Sequence, residues 1–332
     1  MAVYIAFSEH GDHPAFGSAL PNVAAVTTRL RSHCRAGFSI GDTGAATYPV
    51  PLGAVATEGW ASCVFGRASI NVSTARDIFN IALDAAAGPV FGIRYNNGFG
   101  DAFALRNYAA AVTVPIAIGP VATEQIIKVD FHYRIHPSTG FLRCYIDGVL
   151  RYSFSGNTVI GAASGVEAIQ FQSTAQSTSA TRTHYSEILV SDESTLFSKV
   201  ITRPFTVFGD LAAWSGVIGD INGIGSLDTT FISETTPGDI FTMSSASIPA
   251  LALGDVITRV SMFYRANFEP SSPVTRVAPL ARLSGTNYIG TTQALLGTVA
   301  SYAHNLDLNP ATGLVWTQAQ INSAQFGLQA VA

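Results

Sequence analysis

The chain has 332 residues, room for two domains of about 100–200 residues each and for substantial buried cores. Charged residues make up 12% of it, against about 25% in globular domains generally, and the formal net charge is −4 with no basic run. That balance excludes the electrostatic footprint of a nucleic-acid binder. The longest apolar run, AAAVTVPIAIGPVA, is shorter than the ~20 residues of a membrane helix and holds two prolines.

The opening segment MAVYIAFSEHGDHPAF has no charged region followed by an apolar one, so a chain folded in a reducing cytoplasm is expected. Residues 1–50 show little periodicity and read as an arm or attachment segment, an extended strand with loops. Its His10-Gly-Asp-His13 cluster carries two imidazoles and a carboxylate at a spacing that arises readily by chance. Cys34, Cys63 and Cys144 are odd in number, widely spaced and outside any metal-type pair, and are expected to be small buried hydrophobes.

From Trp60 the segments WASCVFGRASINV, DIFNIAL, PVFGIRYNN and AFALRNYAAAVTV read as strands, separated by Gly88-Pro89, Asn96-Asn97-Gly98 and Gly119-Pro120 turn signals. The clearest pattern follows. Ile127, Val129, Phe131, Tyr133 and Ile135 alternate with Lys128, Asp130, His132, Arg134 and His136, the period of a strand with one buried face. Leu142, Cys144 and Ile146 then point inward, with Arg143, Tyr145 and Asp147 outward. Asp147-Gly148 supplies a type I′ hairpin turn that returns the chain over Val149 to Phe154. About eight strands at this spacing predict a jelly-roll sandwich over 51–199.

The pattern changes near residue 200. The Gly- and Asp-rich stretch FGDLAAWSGVIGDINGIGSLD precedes DTTFISET, DIFTMSS, DVITRVSMFYRANF, TRVAPLARL, TNYIGTTQALL and VASYAHNLD, which predict a second, smaller β-sandwich over 200–332. In the third of these the apolar Ile257, Val260, Met262 and Tyr264 break strict alternation and predict a bulge or a more buried strand. Asn309-Pro310 marks a turn. Thr317 followed by Gln320 is a capping-box pattern and Gly327 a C′ stop, so one or two helical turns are expected over 318–326.

The segments THYSEILVSDEST, AAWSGVIGDING and DLNPATGLVWTQAQINSAQFGL, in that order, resemble a family of virion appendage proteins of tailed bacteriophages and gene transfer agents. Its members combine a concanavalin or laminin-G-like jelly roll with a second β domain and a DP-x-TG-x-x-W-T motif. Here the motif reads Asn309-Pro310-Ala311-Thr312-Gly313 before Trp316-Thr317, and the likeness covers roughly residues 60–329. The resemblance implies an all-β fold, a concanavalin-like jelly roll followed by a smaller sandwich. It also implies a structural component of the virion, assembled in the host cytoplasm: a head spike, tail fibre or baseplate-associated protein in contact with other virion proteins and with host surface polysaccharide. The alternative is a carbohydrate-binding adhesin module acting as the receptor-binding protein, with the Asn96 to Asp101 loop or the Lys128 to His136 face as its site. Neutral surfaces and many sheet edges fit a homo-oligomer, most simply a trimer.

Chemistry is sparse. A retaining glycosidase needs two carboxylates about 5–5.5 Å apart, whereas Asp130 shares its face with Lys128 and His132, and Glu187 stands alone. The face from Lys128 to His136, with Arg143 and Tyr145, holds the residue types of a polysaccharide lyase, but reads more plainly as a solvated or subunit-covered sheet face, and no enzyme is expected. His132 and His136 lie four residues, about 13 Å, apart on a strand, too far to share a metal. The sugar-binding candidates are Tyr95, Asn96, Asn97, Phe99 and Asp101 in one loop, with Arg143 and Tyr145 in another place. Asn96, Asn97 and Asp101 are also the best calcium set and Asp220, Asn222 and Asp228 a second, set against turn-forming roles for the same residues.

Overall fold

The computed structural model describes residues 3–7, 23–26, 37–40, 47–67, 76–82, 89–96, 102–116, 126–161, 164–172, 183–221 and 230–332. The chain divides into two compact units, with Val200 closing the first and Ile201 beginning the main body of the second. No helix among the described residues is long and apolar enough to cross a membrane.

The first unit carries β1 (Val3–Phe7), β2 (Val23–Val26), β3 (Gly37–Ile40), β4 (Thr47–Ala56), β5 (Glu58–Arg67), β6 (Arg76–Ala82) and β7 (Pro89–Asn96). It continues with β8 (Ala102–Asn107), β9 (Val112–Pro115), β10 (Ile126–Arg134), β11 (Gly140–Ile146), β12 (Val149–Gly156), β13 (Val166–Gln172) and β14 (Thr183–Ser191). They form two antiparallel sheets, a concanavalin-like jelly-roll sandwich. One is ordered β12-β11-β10-β5-β14-β3-β2 with β1 also on β14, the other β4-β13-β6-β7-β8-β9. Within residues 1–50, read from the sequence as an attachment segment, β1, β2 and β3 are therefore strands of the first sheet.

The inward residues of the alternating strands fill the space between the sheets. Phe65, Phe131, Tyr133 and Tyr185 from the first sheet and Phe79, Phe91, Phe103 and Phe171 from the second are all fully buried. Phe131 stacks on Phe79 at 5.4 Å and meets Phe91 at 4.8 Å, and the Tyr185 hydroxyl donates to the Ile78 carbonyl at 3.0 Å. Each such ring removed from water contributes about 1.5–3 kcal/mol. Cys63 and Cys144 are free and buried in this layer, as expected, while Cys34, His10 and His13 lie outside the described residues. The Asp147-Gly148 turn has φ 48° and 80°, the two positive values of a type I′ hairpin.

The second unit is a smaller β-sandwich. Its strands are β15 (Phe205–Ala212), β16 (Ile240–Ser245), β17 (Val260–Ala266), β18 (Arg276–Leu283), β19 (Thr286–Ile289), β20 (Gln293–Ala294), β21 (Ala300–Leu306) and β22 (Gln325–Val331). The larger sheet runs β15-β16-β22-β18-β19 with β20 on β18, and β17 pairs with β21. Phe241, Trp316, Phe326 and Leu328 share a core with Met262 of β17. The strand expected from Asp255 starts only at Val260; Ile257 makes an isolated bridge to Trp316.

The C-terminal expectation needs a correction. The capping box is present: the Thr317 side chain accepts from Gln320 N and the Gln320 side chain from Thr317 N. The helix, α1 (Gln318–Ser323), nevertheless ends six residues on, and 325–331 is a central strand. Gly327 is not a helix stop. It lies opposite Thr242 and Leu280, where a Cβ would run into the Phe241 carbonyl, so close strand approach demands the glycine.

Candidate functional site

The site is assembled on the outer face of β5, β10 and β11. Register places Arg134 between Glu58 and Phe141, His132 between Trp60 and Arg143, and Asp130 between Ser62 and Tyr145. Because partners directly opposite in an antiparallel sheet share a face, nine side chains converge there from three strands, opposite the Phe131 core.

One end of this face is closed by the chain itself, which corrects the expectation of a solvated or subunit-covered face at Lys128 and Asp130. Residues 192–199, following β14, fold back over it. The Thr195 hydroxyl donates to Asp130 Oδ1 at 2.7 Å, and Lys128 Nζ donates to the Thr195 carbonyl at 2.6 Å and to Asp130 Oδ1 at 2.9 Å. Asp130 is 0% exposed and Lys128 6%. Burial raises the Asp130 pKa, outweighing the lowering effect of Lys128 and of the two hydrogen bonds.

The other end is aromatic and less closed: Trp60 and Phe141 are buried, while Arg143 and Tyr145 are half-buried and Arg134 reaches water. The His132 ring lies flat on Trp60, with centroids 4.1 Å apart and planes at 8°, and meets the edge of Phe141 at 4.6 Å. Tyr145 stacks on the same indole at 5.6 Å. Arg134 and Arg143 both sit over the Phe141 ring, at 5.0 and 4.6 Å from its centroid. Arg134 Nε also donates to Glu58 Oε2 at 2.8 Å, whereas Arg143 has no carboxylate partner among the described residues. Burial, aided by the charges of Arg143 and Arg134 and opposed by Glu58, brings the His132 pKa down to about 4, so the ring is neutral near pH 7.

Beside this platform lies a groove of about 520 Å³, lined among others by Glu58, Arg134, Ile135, His136, Val159 and Ser164. Its rim is fixed by Thr158, whose hydroxyl donates to the Arg134 carbonyl at 2.7 Å and accepts from His136 N at 2.9 Å. His136 Nδ1 accepts from the backbone N–H groups of Ser138 and Thr139 at 3.1 and 3.0 Å. In the neutral ring the proton is therefore on Nε2, available as a donor.

Of the residues singled out from sequence, Arg143 and Tyr145 belong to this platform. Tyr95 and Asn96 end β7 in the opposite sheet, so the two sugar-binding candidates are not brought onto one sheet. Asn97, Phe99 and Asp101 lie outside the described residues, as do Asn222 and Asp228. Asp220 accepts from Val217 N at 2.9 Å, closing a 3₁₀ turn over Ile218–Ile221. Among the described residues no group of three or more His, Cys, Asp or Glu side chains is placed to hold a metal. Sequence reasoning missed Glu58, Trp60 and Phe141. Trp60 was within reach, since its two-residue spacing from Ser62 puts it on the face opposite Ala61, Cys63 and Phe65.

No family model matches the sequence, and no curated protein does. Among solved structures the chain is similar to the alginate lyase Aly36B, at 8% identity and a TM-score of 0.38 over 52% of this chain and 98% of that one. It is also similar to Trypanosoma rangeli sialidase, at 15% identity and a TM-score of 0.37 over 57% of this chain and 30% of that one.

Proposed function

We propose that this chain is a non-enzymatic structural component of a tailed phage or phage-like particle, whose first unit carries a glycan-contacting face. The observation that carries the glycan part is the half-buried Tyr145 ring, backed by the buried Trp60, beside Arg143 and continuous through Arg134 with a 520 Å³ groove. Rings that stack on sugar faces beside donors and acceptors for hydroxyls are the general means of glycan recognition, and the groove volume suits a short stretch of sugar. The particle assignment is supported by the resemblance of the THYSEILVSDEST to Trp316-Thr317 segments and by the low charge. Large apolar side chains left in water, such as Phe197, Phe231 and Leu253, add to it as surfaces for other virion proteins or sister copies.

Binding is favoured over cleavage by the placement of the acids. On this face Asp130 is sealed under Thr195 and Glu58 is engaged with Arg134, so the pair needed for glycoside hydrolysis is not assembled in the open. His132, clasped between two aromatic rings, serves the stack.

The test is titration of the purified protein with surface polysaccharides, followed calorimetrically, with polymer length checked before and after. Saturable binding without shortening is the expected result. Shortened chains would overturn the non-enzymatic reading, and absence of binding to every polysaccharide would overturn the glycan reading. A light-scattering mass three times that of the chain is expected for the free protein; a monomer at high concentration would remove the trimer.

A further inference from the structure

We infer that the glycan is an anionic polysaccharide, its acidic groups held by Arg143 with Arg134 in support. This inference rests on the glycan-contacting reading and names the chemistry of that same face.

The open part of the face holds two guanidiniums against one carboxylate. Glu58 is committed to Arg134 Nε at 2.8 Å, which leaves the charge of Arg143 uncompensated among the described residues. The chain as a whole is acidic, at −4, so a bare cation here runs against its composition. A guanidinium lying over an aromatic ring keeps its in-plane N–H fork free. That fork matches the two oxygens of a carboxylate or sulfate.

The surroundings fit the rest of such a polymer. Tyr145, two residues from Arg143 on the same face of β11, is half-buried and offers a ring for a pyranose. Arg134 lies across Phe141 from Arg143 and opens into the groove, where His136 adds a donor through Nε2. A chain of sugars crossing from Tyr145 to the groove thus passes both guanidiniums in turn. The same positive field acts on His132, whose protonated form both arginines disfavour.

The experiment compares oligoglucuronate, dextran sulfate and neutral dextran at low salt and in 1 M salt, where the screening length falls to about 3 Å. Wild-type protein is set beside Arg143→Ala, Arg143→Lys and Tyr145→Ala. Arg259→Ala serves as a control, a charge removed from the second unit where Arg259 pairs with Asp307. Circular dichroism verifies folding in each. The expected result is binding of an acidic polymer at least tenfold tighter than dextran, weakened by salt, and lost about tenfold in Arg143→Ala with partial recovery in Arg143→Lys. A preference between glucuronate and dextran sulfate then assigns the acid as carboxyl or sulfate. Dextran binding as tightly as the acidic polymers, lost in Tyr145→Ala and untouched in Arg143→Ala, would overturn the anionic inference while leaving the glycan reading in place. Failure of all three polymers to bind would remove both.

Discussion

The two halves of β10 carry one alternation of polar residues on one face, and the protein treats them in opposite ways. Lys128 and Asp130 are sealed beneath Thr195; His132 and Arg134, two and four residues beyond Asp130, stay in contact with water. The strand itself does not decide this. What differs is the cover, since residues 192–199 leave β14 beside Trp60 and cross the Lys128–Asp130 half, where Thr195 binds both side chains. The difference teaches that a buried ion pair here acts as a latch for a returning segment. Removing two charges from water costs several kcal/mol per ion, and the Lys128–Asp130 contact recovers that only with the Thr195 hydroxyl and carbonyl added. On the open half the Arg134–Glu58 pair is screened and contributes little to folding.

The largest expected effect breaks the closed half. Lys128→Ala leaves Asp130 buried without its countercharge and is expected to destabilise the first unit by about 3–5 kcal/mol, read as a shift of the urea midpoint. The double replacement Lys128→Met with Asp130→Leu removes both charges and is expected to recover most of that loss. A double variant as unstable as the single one would show that Thr195, rather than the charge balance, determines the closure.

The two halves also respond to pH with opposite sign. The folded-state pKa of His132, about 4, is below its ordinary 6.5, so its contribution is present above pH 6.5 and is lost as pH falls toward 4. Asp130 is raised above its ordinary 3.8; its contribution is present below that value and is lost as pH rises through the raised one. His132→Phe keeps a ring between Trp60 and Phe141 but cannot titrate. Between pH 6.5 and 4 it is expected to lose about 2 kcal/mol less than wild type, measured by urea unfolding at each pH. Parallel curves for the two proteins would mean that His132 is protonated in the folded state as readily as in the unfolded one.

How far this contrast was readable beforehand depends on the length of chain involved. The inward set Ile127, Val129, Phe131, Tyr133 and Ile135 and the Asp147-Gly148 turn follow from neighbours in sequence, and all are found in place. The capping box at Thr317 was equally local. Closure over Asp130 was not readable, because it depends on Thr195, 65 residues away, and the Trp60 stack on His132 depends on a strand register 72 residues apart. The strand Gln325–Val331 illustrates a different failure. Phe326, Leu328 and Ala330 alternate inward, but the helical cap eight residues before Gln325 and the following glycine pointed to a helix stop. There the space occupied by the Phe241 backbone, invisible in sequence, decided the role of Gly327.

The smallest stability effect sharpens the comparison from the open side. Glu58→Gln removes the one carboxylate that faces both Arg134 and His132, from a position where side chains are about two-fifths exposed. Unfolding is expected to stay within experimental error of wild type, because screened pairs hold little folding energy. The site should nevertheless change. With Glu58 gone, only the arginine charges act on His132, so its pKa is expected to fall further, followed by NMR of the imidazole protons. Arg134 is released at the same time, and oligoglucuronate binding is expected to tighten severalfold at low salt. An unchanged His132 titration together with weakened binding would mean that Glu58 holds the sugar directly and that Arg134 is its brace, reversing the roles assigned to the two ends of that ion pair.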